Sequence, residues 1–285
     1  MFYLLITTII WAFSFSIIGN YLSPTIDPWS LSFFRIAIAL IIFLPVIDIN
    51  ISKKRMIIMA GIGAIQIGIM YIFYLNAFRF TTVPKILLFT IFTPIYVTLI
   101  SDLIEKRIRK TFFVLSLGSV LGALIIRLTA IDLNDILGFL LIQGANISFA
   151  FGQVLYRFFN KGQMKSDYNL NEFVYFYIGA LVVASIGCII NVDKIVLPQS
   201  LTQWGFIFWM GAIASGLGYY LWNRGATLVS AGTLAVMNNL VIPLGLIIEI
   251  IIFSRSVNMS TFIIGTLIII SSIYLSLKKK ESKLL

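Results

Sequence analysis

Two adjacent amides, Asn238 and Asn239, stand one turn before Pro243 inside a long apolar run. Neighbours on a helix cannot face the same partner, and the proline removes a backbone N–H, freeing a carbonyl near Asn239. A polar side chain in hydrocarbon is costly unless it is paired or faces water, so the pair points to a polar cavity. Gln143, Asn146 and Gln153 fall on one helical face at spacings of three and seven. Gln66 shares a face with Met70 and Tyr74, and Trp11 and Phe15 lie at the same depth. Amides can bind a carboxylate, amine or hydroxyl while rings cover an apolar part, which suits a small amphipathic metabolite. The candidate substrate-binding residues are therefore Trp11, Gln66, Tyr74, Asn146, Asn238 and Asn239. Each amide has a competing use, because membrane helices hydrogen-bond to one another through Asn, Gln, Ser and Thr. Tyr71, Tyr74, Tyr219 and Tyr220 also fit packing or an interface belt, and Trp204 and Trp209 read as belt.

Two charges are sharper. Arg35 lies roughly 8 Å into its apolar run and Glu249 roughly 6 Å into another, at 1.5 Å per residue. They are candidates for an ion pair, or Glu249 for proton coupling; Glu249 also has the simpler option of reaching the outer headgroups. Lys85, near the end of a run, is long enough to snorkel. The chain has no histidine and one cysteine, Cys188, so no internal disulfide, metal or cofactor is expected. No His-Glu-x-x-His, intramembrane Asp-x-x-x-Asp or Gly-x-x-x-x-Gly-Lys occurs, which removes zinc proteolysis, prenyl transfer and ATP hydrolysis.

The elements that carry these residues are membrane helices. Of 285 residues, 60% are hydrophobic and 11% charged, where soluble domains carry about 25% charged residues. Mean hydropathy is +1.01. A soluble enzyme and a disordered chain are both excluded. Apolar runs predict ten spans, near 2–19, 30–47, 56–78, 83–101, 110–127, 136–157, 172–190, 204–224, 231–253 and 259–277. The first run lacks a positive n-region and a cleavage site, so it reads as a span. Breaks carry turn or charge signals, such as Ser23-Pro24, Asp27-Pro28 and Ser52-Lys53-Lys54-Arg55. The fold class is an all-α integral membrane protein.

The net charge of +10 belongs to loops at the membrane rather than to a nucleic-acid surface. Fifteen Lys and Arg, among them Lys53, Lys54, Arg55, Lys106, Arg107, Arg109, Lys110, Arg157, Lys161, Lys165 and Arg224, fall on even-numbered loops or the C-terminal tail; five fall on the other side. This places both termini in the cytoplasm of a multi-pass cell-membrane protein. The partners expected are the lipid bilayer, a small-molecule substrate and a coupling proton.

The halves echo each other. Ala77 and Ala226 are 149 residues apart, as are Pro94 and Pro243. Five spans per half make the copies antiparallel in the membrane, a transporter signature. The expected division is 1–134 and 135–285.

Trp11-Ala12-Phe13-Ser14-Phe15, Pro28 with Phe33-Phe34-Arg35, Asn76-Ala77-Phe78-Arg79-Phe80-Thr81 with Pro94, and Glu105-Lys106-Arg107 occur in order. Leu221-Trp222-Asn223-Arg224-Gly225-Ala226 with Pro243 forms a second-half copy. In these motifs the chain resembles the drug/metabolite transporter superfamily, in its ten-helix EamA branch, over nearly its whole length. It departs from that pattern at Ser254-Arg255, where the first half has Glu105-Lys106, and at Phe149, where the family often has Trp. The resemblance implies a secondary transporter, exporting a small metabolite such as an amino acid by alternating access. The alternatives are an intramembrane enzyme and a channel.

Overall fold

The computed structural model describes residues 1–127, 135–161, 170–254 and 257–279, and these contain no β-strand. Lys165, Arg255, Lys280 and Lys283 of the charge split, and residue 134 at the expected boundary between halves, lie outside the described residues. In chain order the helical runs are α1 Phe2–Leu22, α2 Pro28–Val46, α3 Lys53–Ala77, α4 Val83–Ile104, α5 Lys110–Arg127, α6 Ile136–Asn160, α7 Leu170–Ile190, α8 over 201–227, α9 Ala231–Ile252 and α10 Met259–Lys278. Among the described residues, all except α5 and α8 are long and apolar enough to cross a membrane. The apolar stretch of α5, Lys110–Ile126, is shorter, and α8 is diluted by Tyr219, Tyr220, Asn223 and Arg224.

The break signals become caps. Asp27 accepts from the N–H groups of Trp29 and Ser30, and Pro28 occupies the first helical position of α2, where its missing N–H costs nothing. Ser200 forms a capping box with Gln203 at the start of α8. Ser230 caps α9 through the Thr233 N–H, and Asn258 caps α10 through Ser260 and Thr261.

Among the described residues, α1 ends in a π-helical stretch, Ile18–Leu22, and α2 in a 3₁₀ turn, Leu44–Val46, while four helices are interrupted within their length, in two matching pairs. A π-helical stretch interrupts α3 at Ala64–Ile69 and α8 at Met210–Leu217. A 3₁₀ turn interrupts α4 at Thr90–Phe92 and α9 at Asn238–Leu240, each just ahead of a proline, Pro94 or Pro243. In α4 the cause is visible. Pro94 cannot donate to the Thr90 carbonyl, so the Thr93 N–H and its hydroxyl both move to that oxygen, the hydroxyl at 2.8 Å. This releases the Phe89 carbonyl to other partners.

Packing follows the same pairing. α1 lies against α8 and α9, and α6 lies against α3 and α4; α2 packs on α8, and α7 on α3. α2 meets α7 and α5 meets α10. Glycine allows the closest approaches: a β-carbon at Gly63 would lie 1.8 Å from the Phe176 carbonyl oxygen, and one at Gly179 would lie 1.9 Å from that of Ala60. Gly118 and Gly122 are a small-residue pair four apart on α5. They are turned inward on α10, with Gly122 facing the Gly265 carbonyl.

Charged groups gather at the ends. Arg55 pairs with Glu172 at 2.7 Å and also donates to Asn160. Arg109 pairs with Asp102 at 2.6 Å and Glu105 at 2.8 Å, and Arg157 with Glu105 at 2.9 Å. Arg157 also reaches the Val229 carbonyl at 3.2 Å. These groups come from the loops with the most basic residues. At the opposite end of α4, Lys85 pairs with Asp135 at 2.6 Å. Lys85, expected from the sequence to snorkel, thus has a carboxylate partner in the residue just before α6.

Candidate functional site

Between the halves lies a cavity of about 110 Å³, room for several waters at about 10–15 Å³ each. Residues of α1, α3, α4, α6, α8 and α9 line it, and Arg35 reaches it from α2. Trp11 is the hub of an aromatic wall. Its ring centroid lies 4.9 Å from that of Trp222, 5.1 Å from Tyr219 and 5.4 Å from Phe149. Its indole N–H donates to the Ala214 carbonyl at 2.9 Å, an acceptor in the π-helical stretch of α8. Phe15 meets Tyr74 edge-on at 5.5 Å. Rings locked this way present apolar faces that need no reorganisation to cover a ligand.

The polar wall is built on the two broken helices. The released Phe89 carbonyl accepts from Asn146 Nδ2 at 2.9 Å and from Gln143 Nε2 at 3.1 Å. Asn146 Oδ1 lies 3.1 Å from the Thr93 hydroxyl oxygen. Asn238 Nδ2 donates to the Leu234 carbonyl at 2.8 Å, and the side chain also meets Gln153 at 3.4–3.5 Å. Asn239 points the other way, donating to the Ile91 carbonyl at 3.1 Å and tying the break in α9 to the break in α4. Gln66 is fully buried and exchanges two hydrogen bonds with Asn223, at 3.0 and 3.1 Å.

Of the residues singled out in the sequence, Trp11, Tyr74, Asn146 and Asn238 line the cavity; Gln66 and Asn239 stand outside its wall, joining helices. Tyr71 and Tyr219, which from sequence fit packing or a belt, are both on the wall. Trp222, not among the candidates, lies there too. The signal was present, since Tyr219 and Trp222 are three apart and share a helical face.

Arg35 is 2% exposed. Its Nε donates to Ser215 Oγ at 3.2 Å and its Nη2 to the Tyr71 hydroxyl at 2.6 Å; the same hydroxyl is 2.8 Å from Ser215 Oγ. The guanidinium carbon lies 4.3 Å from the Tyr71 ring centroid. Glu249 is 1% exposed and accepts from the Ser16 hydroxyl at 3.4 Å. In this structure the two charges take different partners.

The chain matches the family model described as the EamA-like transporter family over residues 1–128 and 136–278. It is 39% identical over 277 residues to the protein named "Biotin transporter" of Escherichia coli strain K12, covering 96% of this chain and 92% of that one. It is also 39% identical to the "Probable biotin transporter" of Pseudomonas aeruginosa, covering 96% of each. The "Biotin transporter" of Salmonella typhimurium is 38% identical over the same length. A solved crystal structure superposes with a TM-score of 0.76 at 13% identity, over 96% of this chain and 95% of that one, so the fold is shared. A family match across both halves and relatives named as transporters make this a transporter and not an enzyme: the chain belongs to the EamA-like transporter family.

Proposed function

We propose that the chain is a secondary carrier for biotin, working by alternating access in the cell membrane. The observation that carries this is the cavity's place and make-up. It lies between the halves at the paired helix breaks, with a ring wall around Trp11 and an amide-and-hydroxyl wall of Asn146, Asn238, Thr90 and Thr93. A ligand with a fused ring system, a compact polar head and an aliphatic chain suits both walls. The relatives' names supply the substrate. They favour biotin over the amino acid implied by the family resemblance alone, and they give no direction of transport.

In this reading α5 and α8 also cross the membrane, giving ten spans in two inverted repeats with both termini cytoplasmic. The matched breaks support it: the π-helical stretches begin 146 residues apart, the 3₁₀ turns 148 and the prolines 149. The helix pairings, α1 on α8 and α9 against α6 on α3 and α4, repeat with them. Two near-equivalent packings of one motif are what an inward-open and an outward-open state require. Glu249, a buried carboxylate in a span, is the group assigned to a coupling proton.

The test is uptake of labelled biotin by cells that neither make biotin nor carry their own biotin transporter. Expression of this chain should confer saturable accumulation that unlabelled biotin abolishes and amino acids do not. Accumulation no greater than in cells with an empty vector would overturn the assignment.

A further inference from the structure

We infer that Arg35 is the anchor for a substrate carboxylate, an inference that rests on the carrier reading and names the chemistry its cavity selects. Three observations meet at this side chain. Arg35 is 2% exposed and lines the cavity. Its Nη1 is buried without a hydrogen-bond partner, while Nε and Nη2 are held by Ser215 and Tyr71. No carboxylate among the described residues forms an ion pair with it. A buried cation with a free N–H is expensive until an anion meets it, and guanidinium geometry fits a carboxylate. Tyr71 and Ser215 act here as positioning residues. They come from α3 and from the π-helical stretch of α8, so both halves fix the fork before the ligand arrives. That stretch is stabilised in turn by Tyr177, whose hydroxyl donates to the carbonyls of Ser215 and Gly216 at 2.9 and 2.7 Å.

The cavity therefore selects monocarboxylates whose uncharged part fits against the aromatic wall. Biotin is one member of that class, and 5-phenylpentanoate is a member without biotin's polar head. The experiment measures binding of biotin, biotin amide, 5-phenylpentanoate and 5-phenylpentanamide to purified protein. Each acid that binds should bind wild type about tenfold or more tighter than its amide. Arg35→Gln should erase that preference. Arg35→Lys keeps a buried cation in case the neutral variant does not fold; losing the planar fork, it should show a preference well below wild type.

Equal binding of acids and amides overturns the anchor, as does a preference that survives in Arg35→Gln or stays at the wild-type level in Arg35→Lys. Failure of both acids to bind overturns it too. If biotin binds and its amide binds equally, the anchor falls and biotin stands as substrate. If biotin does not bind and the phenylpentanoate pair shows an Arg35-dependent preference, the anchor stands and the biotin assignment falls.

Discussion

At the residue scale, buried amides of one chemical type have three different jobs. Gln66 and Asn223 satisfy each other across α3 and α8. Asn146 caps a carbonyl released by a broken helix and faces the cavity as well. Asn239 bridges α9 to α4. Gln66→Leu leaves the Asn223 amide buried and unpaired, which should cost about 1–3 kcal/mol. Thermal unfolding in detergent should show the loss, with biotin affinity close to wild type in the protein that remains folded. Adding Asn223→Leu should recover part of the loss, because no orphaned amide is left. Asn238→Leu should do the reverse, weakening biotin binding while the unfolding temperature holds within a few degrees. The sequence exposed which polar groups are buried, since an apolar run makes each one conspicuous. It did not reveal their partners: Gln66 and Asn223 are 157 residues apart, and Arg35 is 180 from Ser215. For that reason Arg35 read as one half of an ion pair with Glu249, and Tyr71 as packing.

At the element scale, the helices are set by two kinds of local signal. Caps and charge runs mark their ends, and the apolar runs read from sequence agree with the observed helices to within about three residues at each end. Prolines mark two of the interior breaks. The π-helical stretches were not legible, because no residue type demands them. The stretch in α8 is held by side chains from other helices that meet its carbonyls, Trp11 at Ala214 and Tyr177 at Ser215 and Gly216. The close α3–α7 crossing yields a direct prediction. Gly179→Ala pushes a methyl group into the Ala60 carbonyl, and should destabilise the protein by about 1–3 kcal/mol. The readout is the unfolding temperature, and an unchanged value would mean the helices lie further apart. Glu249→Gln belongs to this scale too, since the carboxylate sits where α9 meets α1. It should leave biotin binding intact and remove the pH dependence of transport; a wild-type pH profile would free Glu249 of any coupling role.

At the scale of the whole molecule, the proposed carrier mechanism requires two similar halves to enclose a site that opens to either side in turn. The ion pairs of Arg157 with Glu105 and of Arg55 with Glu172 join helices at one end of the bundle, and Lys85 pairs with Asp135 at the opposite end of α4. A fluorescent reporter that matures only in the cytoplasm, fused after Lys280, should be bright. A dark fusion, with a periplasmic reporter active at the same position, would contradict both the topology and the inverted repeat. Counterflow of labelled biotin in liposomes reconstituted with this chain distinguishes a biotin carrier from a channel and from a carrier of something else. A carrier preloaded with unlabelled biotin should draw labelled biotin inward transiently above its external concentration, with a rate that saturates. Entry that neither saturates nor responds to the internal load would contradict alternating access, and no entry above protein-free liposomes would contradict biotin as the substrate.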